Sequence, residues 1–231
     1  MGDNVKRIEE YAFYDCYALR FIRLSKTLEH IGDDAFNYCR SLEAFFLPST
    51  VKSIGQGAFS FCRSLRVLIL PNVIDLSKVG MHIITNTAVY QIAEASGVEY
   101  VHDNIVVGRI TDESNRRVNE WLIHYMDEVP FHRLCYNSSI KTKHINDYLA
   151  ENGTDAAFTI DPYHAMTPLH MLSMNPHAPA DTIAALLDVN MEVAFCLDNQ
   201  GKMPMDYARD YNVDGLVGIV NGLCNHRHAA G

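Results

Sequence analysis

Six cysteines and eleven histidines are the residues through which this 231-residue chain could do nucleophilic, acid–base or metal chemistry. Cys39 lies in IGDDAFNYCRSL, residues 31–42, beside Phe36, Tyr38 and Arg40; as a nucleophile it would need a base held against that one thiol. Cys224, His226 and His228 alternate near the end of the chain and offer three ligands, with no second half-site to close a zinc tetrahedron. His102 followed by Asp103 has the order of an oriented general base. Around them the sequence holds no phosphate loop, dinucleotide glycine fingerprint, Gly-x-Ser-x-Gly elbow or His-Glu-x-x-His motif. No catalytic residue, cofactor or metal site is therefore expected: the terminal cluster reads as a fraying, solvated tail and His102-Asp103-Asn104 as a turn.

The elements that position these groups explain the thiols. IEEYAFYDCYAL at residues 8–19 and IGQGAFSFCRSL at 54–65 repeat the frame of 31–42 every 23 residues. Ile8, Ile31 and Ile54 share a column, as do Phe13, Phe36 and Phe59, then Cys16, Cys39 and Cys62, then Leu19, Leu42 and Leu65. Recurring apolar identities between variable residues are what stacked coils require, because one coil has too little apolar surface to bury alone. The three thiols are thus equivalent rungs, expected to be free and buried, with Cys39 resistant to labelling. Residues 19–24, 42–47 and 65–70 read as strands, the later two ended by Pro48 and Pro71. With Ile22 and Leu24 inward, Phe21 and Arg23 point out, as do Phe46 and Ile69 in later copies; so apolar a face reads either as a partner surface or as one covered by another segment.

Over roughly residues 5–75 these motifs resemble the BspA-like leucine-rich repeats, whose Leu-x-x-Ile-x-Leu-Pro strand is followed by Ile-Gly-x-x-Ala-Phe-x-x-Cys. The first copy departs from the pattern at Glu9 and Ser25. The resemblance implies a β-solenoid that acts through extended surfaces.

Past Asp75 the 23-residue frame fails, with Ser77 and His82 where Ile and Phe are due, so the array is expected to stop. Residues 87–96 read as a helix capped by Thr87 and stopped by Gly97, and 98–110 as two strand segments. Residues 112–126 read as a helix capped by Thr111, with Val118, Trp121, Leu122 and Tyr125 as its buried stripe. Trp121 is expected to anchor a core rather than stack on a ligand.

A second repeat follows. VPFHRLC at 129–135, TPLHMLS at 167–173 and MPMDYAR at 203–209 recur at 38 and 36 residues, each followed by a second amphipathic helix. Pro168 suits a first helical turn and Thr167 the cap before it, while Asp161 and Asp198 open the turns into the later copies. Thr-Pro-Leu-His looks like the ankyrin repeat, over about residues 124–224, with longer spacing and with Asp206 in the third His position. The resemblance implies that His132 and His170 tie neighbouring repeats together. It also implies partner contacts from the fingers, at Tyr163, His164, Met166, Gln200 and Lys202, and from the first-helix surface at Met171 and Met174.

A net charge of −9 and the absence of any Lys/Arg cluster beyond Arg116-Arg117 disfavour nucleic acid and anionic membranes as partners. No signal peptide, lipidation motif or spanning segment is evident, which reads as intracellular and cytoplasmic. The start almost inside a repeat also fits a fragment of a longer product. The expected architecture is α+β: leucine-rich repeats over 1–77, a mixed helix/strand capping block over 78–111, and ankyrin-like helical repeats over 112–231. The expected role is a non-enzymatic scaffold binding another protein, or, if the chain belongs to a secreted protein, a surface recognition or adhesion module.

Overall fold

The computed structural model describes residues 1–102 and 110–229, with side chains up to residue 224. Two compact units result, Met1–Tyr125 and Met126–Gly231.

In the first unit the described residues hold five two-residue strands: β1 (Arg7–Ile8), β2 (His30–Ile31), β3 (Ala44–Phe45), β4 (Ser53–Ile54) and β5 (Val67–Leu68). The order β1-β2-β4 is parallel and sets Ile8 beside Ile31 beside Ile54, a sheet the strand pattern of the sequence does not announce. β3 and β5 pair in parallel within the expected 42–47 and 65–70 stretches, Phe45 against Leu68. Elsewhere on the coil the backbone donates forward, from Phe13 N–H to Ala35 carbonyl and from Phe36 N–H to Ala58 carbonyl, both at 2.8 Å. Along the isoleucine sheet the direction reverses: Gly32 N–H donates back to the Ile8 carbonyl and Gly55 N–H to that of Ile31, again at 2.8 Å. Equivalent side chains then stack, with Phe13, Phe36 and Phe59 as near-parallel rings 5.0 and 5.7 Å apart.

The stack does not end at Asp75. Val79 bridges in parallel to Ile54, and Gly57, Phe59 and Phe61 donate to the carbonyls of Met81, Ile83 and Thr85. Each coil turns through two left-handed residues four apart, Tyr11 and Asp15, Asp34 and Tyr38, Gly57 and Phe61, and the pair recurs at His82 and Asn86. A fourth coil is therefore present, displaced 25 residues rather than 23. The two extra residues are absorbed in a 3-10 turn, Leu76–Lys78, whose Ser77 N–H is met by the Asp75 side chain. Fully buried Ile83 and Ile84 take the places of Ala58 and Phe59.

α1 (Ala88–Ala95) follows, capped by Thr87 as expected, and closes at Gly97 (φ 77°) with Val98 N–H on the Ala93 carbonyl. Of the strand pair expected over 98–110, the described residues show a His102–Ile110 antiparallel bridge; Asp103 and Asn104 lie outside them. α2 (Asp112–His124) is capped by Thr111. The expected boundary at residue 112 grouped this helix with the ankyrin-like segment; it belongs instead to the first unit. Leu70 N–H donates to its Leu122 carbonyl, and Asn115 Nδ2 to the Gly80 carbonyl. Trp121 is only half-buried, stacked 4.5 Å from Tyr125.

The second unit is helical: α3 (Pro130–Tyr136), α4 (Thr142–Asn152), α5 (Pro168–Met174), α6 (Ala180–Leu187), α7 (Pro204–Tyr211) and α8 (Val213–Ala229). α5 packs between α3 and α7 in one row, and α6 between α4 and α8 in the other. Short 3-10 turns, Thr154–Phe158 and Met191–Phe195, lead from the second row into the loops before α5 and α7. The backbone expected to fray continues as α8 to Ala229; the side chains of His226 and His228 lie outside the described residues.

The glycine at the second column position marks where coils meet. A Cβ on Gly32 would stand 2.5 Å from the Glu10 nitrogen, and Gly55 and Gly80 face the backbone of Asp33 and Gln56 in the same way. Gly32→Ala is expected to lower the stability of the first unit by about 3 kcal/mol in chemical denaturation. Gly2→Ala, with nothing within 4 Å, should leave it unchanged.

Candidate functional site

All six cysteines are free. Cys39 and Cys62 are fully buried; their thiols donate to the carbonyls of Phe13 and Phe36, one coil back, at 3.1 and 3.0 Å. The Cys39 thiol beside it, then burial, pushes the Cys62 thiol up, away from the reactive thiolate. Cys16, in the first coil, is exposed. The ladder is thus wall at two rungs and surface at the third.

The outward sheet columns divide in the same way. Phe21 is 44% exposed and Arg23 is exposed, but Phe46 and Ile69 are buried, together with Ala44 and Val67. Phe46 and Ile69 therefore do not form the partner surface expected of them. Ala44-Phe45-Phe46-Leu47 and Val67-Leu68-Ile69-Leu70 are unbroken apolar runs, the mark of strands covered on both faces; Arg20-Phe21-Ile22-Arg23 is not.

In the second unit the histidines serve the repeats. His132 Nε2–H donates to the Met166 carbonyl at 2.7 Å and His170 Nε2–H to the Lys202 carbonyl at 3.1 Å, tautomers dictated by acceptor-only partners. Met166 and Lys202 are equivalent, because each also accepts the N–H of the aspartate opening its own loop, Asp161 or Asp198. His170 also acts at its other ring nitrogen, where Nδ1 accepts the Thr167 N–H at 3.0 Å and completes the helix cap. Asp206, where a third histidine was due, preserves the capping contact by accepting the Met203 N–H at 2.9 Å.

Asp161 gathers the N–H groups of Tyr163, His164 and Met166 and the His164 ring, all within 2.9 Å. Burial pushes its carboxyl up, but the bond and charge of His164 and the N–H groups outweigh this and hold it below its ordinary value. Burial likewise holds the His132 imidazole below its ordinary value, against the opposing pull of the Met166 carbonyl. Asp198 builds the next loop through the Gln200 and Lys202 N–H groups, and Asn199 ties the two loops by donating to the His164 and Tyr163 carbonyls.

Of the expected finger contacts, Gln200 is exposed and Tyr163 and Lys202 are half-buried, with Lys202 over the Tyr207 ring at 5.0 Å. His164 and Met166 are buried, His164 by its place inside the Asp161 loop. Met171 and Met174 are buried too: all seven residues of α5 are, since α3 and α7 flank it and α6 lies behind. These four do not present a binding surface.

Sequence reasoning missed an asparagine column. Asn137, Asn175 and Asn212 end α3, α5 and α7. Asn175 Nδ2 donates to the Cys135 and Asn137 carbonyls, and Asn212 Nδ2 to those of Asn175 and Ala178, at 2.9–3.0 Å. Each amide thereby gives a donor to carbonyls where the previous first-row helix ends and its following connection begins. The signal was present as an Asn seven or eight residues after each of Pro130, Pro168 and Pro204. Among the described residues no group of three His, Cys, Asp or Glu side chains could hold a metal, and no helix is long and apolar enough to cross a membrane.

Residues 1–108 match the family model of the BspA type leucine rich repeat region (6 copies), a span that includes the fourth coil. The N-terminal part is a leucine-rich-repeat region of this type. Two solved structures are similar: a leucine-rich repeat protein from Bacteroides ovatus ATCC 8483 and a leucine rich repeat protein of T. pallidum. The first is 31% identical over 35% of this chain and 21% of that one, with a TM-score of 0.34; the second 28% over 34% and 46%, with 0.29. The chain thus spans about a fifth and under half of the two proteins it matches. No curated protein matches it.

With a disulfide-exchange reagent, native protein is expected to react quickly at Cys16 and Cys224, and at Cys39, Cys62 and Cys135 only on unfolding; peptide mapping that finds fast Cys39 would contradict the ladder. Asn175→Ala, which removes the buried donor to the Cys135 carbonyl and the bond to that of Asn137, is expected to lower stability by about 2 kcal/mol in denaturant titration. Because His132 and Asp161 have folded values below their unfolded ones, their stabilisation is complete above the unfolded values and lost as pH falls through the folded ones. Melting at about pH 7.5 and about pH 5.5 should show a loss of stability that is smaller in His132→Asn.

Proposed function

We propose that the chain is a non-enzymatic scaffold, a leucine-rich-repeat solenoid joined to an ankyrin-like helical array, that binds another protein through exposed repeat surfaces. One observation carries this reading: the side chains best suited to chemistry are occupied in structure, His132 and His170 in holding one repeat to the next and Asp161 and Asp198 in building their own loops. Proline-opened first helices, a histidine reaching the base of the following loop and loops joined by Asn199 support the ankyrin-like assignment. The fingertips at Tyr163 and Gln200 are the contacts this reading favours, with aromatic Tyr163 the energetic anchor. The net charge of −9 weighs against nucleic acid or an anionic bilayer in the same role.

The test is capture of native partners from the source cells by immobilised protein, wild type against a Tyr163→Ala, Gln200→Ala double variant of matched melting temperature. Recovery of a specific partner is expected to fall by about tenfold, the equivalent of about 1.4 kcal/mol. Unchanged recovery on the variant would remove the fingertips from the interface.

A further inference from the structure

The two 3-10 turns of the second unit carry the same surface twice. Asp155 and Glu192 are 37 residues apart, as are Phe158 and Phe195, and Ile160 and Leu197. Residues three apart in a 3-10 helix eclipse one another, so within Thr154–Phe158 and Met191–Phe195 each carboxylate lies over its aromatic ring. Ile160, Phe195 and Leu197 are 58–59% exposed, Phe158 is half-buried, and both carboxylates are exposed and without an ion pair among the described residues. Isolated exposed apolar side chains are ordinary. Three positions repeated in register, with five of their six side chains exposed, on loops tied together through Asn199, make a built edge.

We infer that this edge is a docking surface for a basic, extended polypeptide segment whose apolar side chains recur every third residue. The inference rests on the scaffold reading and goes beyond it, since this edge is made of residues other than the fingertips Tyr163 and Gln200. Charge selects the occupant: residues 126–231 hold thirteen Asp and Glu against six Lys and Arg, which places −7 of the chain's −9 in this unit. Each apolar step is accompanied by Asp155 or Glu192, so a Lys or Arg beside each apolar residue of the segment meets an acid. Geometry selects the spacing. Packed helices stand about 8–10 Å apart, which sets the step from one repeat to the next. A polyproline II segment rises about 3.1 Å per residue with three residues per turn, and so shows the same face every ~9 Å.

The probe is a fluorescein-labelled peptide of four Leu-Lys-Pro repeats, with four Leu-Glu-Pro repeats as its control, titrated with the full chain in fluorescence anisotropy. The basic peptide is expected to bind with a Kd of about 10 µM at low salt and the acidic one at least tenfold more weakly. Phe195→Ser with Leu197→Ser should weaken the basic peptide by about tenfold. Asp155→Asn with Glu192→Gln should weaken it less and remove most of its salt dependence. All four positions are exposed, so unchanged melting temperatures are expected and serve as the folding control. Equal binding of the two peptides, binding indifferent to these variants, or no binding by either overturns the proposal. Sedimentation that shows a dimer dissolved by the Phe195→Ser, Leu197→Ser variant overturns it in favour of a second copy. The two readings fail separately. Partner capture that depends on Tyr163 and Gln200 but not on this edge leaves the scaffold and removes only the inference.

Discussion

Successive coils of the first unit come close enough for backbone to bond backbone, and that approach governs the rest of the unit. At this spacing, about 5 Å, whatever side chain a coil carries inward must sit on its own counterpart. Phenylalanine therefore stacks on phenylalanine and thiol follows thiol. The same closeness bars a Cβ at Gly32, Gly55 and Gly80, where one coil's backbone lies against the next. Glu9 holds that position in the first coil, on the side where the others face the coil before them.

Helices cannot approach so closely, and the second unit solves the same problem with different chemistry. Its helices lie too far apart for main-chain bonds to one another, so side chains reach across, while backbone meets backbone between the loops, from Asn199 N–H to the His164 carbonyl. Imidazoles reach the loop bases, amides the helix ends and carboxylates gather the turns. Buried polar groups are costly unless satisfied, which is why these residues look chemical in the sequence and prove structural in the fold. His170 both caps its helix and reaches the next loop, and its counterparts His132 and Asp206 each keep one of these contacts, so the column tolerates two residue types with different losses.

Much of this was legible from spacing. The 23-residue frame announced the coils and their inward columns, and the proline-headed segments announced the first-row helices. What escaped had definite physical causes. The fourth coil was hidden because a frame search assumes constant length, whereas a corner can absorb two residues in Leu76–Lys78 without disturbing the bonds on either side. The isoleucine sheet was missed because its strands are two residues long, too short for alternation to show. Phe46 and Ile69 were assigned to a surface from strand alternation and Met171 and Met174 from the ankyrin resemblance, whereas burial is decided by what packs from elsewhere in the chain. The asparagine column went unread because its signal is a distance from proline, with no apolar period to announce it.

The opposed directions of the hydrogen bonds in the first unit bear on how long such a stack can grow. An α-helix aligns every peptide dipole and builds a pole at each end, which its termini must then compensate. Here the arc through Phe13 and Phe36 sends its N–H groups toward later coils, while the isoleucine sheet sends those of Gly32 and Gly55 toward earlier ones. Each added coil brings both senses, so the two sets offset one another electrostatically instead of accumulating. A stack built this way has no preferred length on dipolar grounds, and coil number is free to be set by whatever the surface must reach.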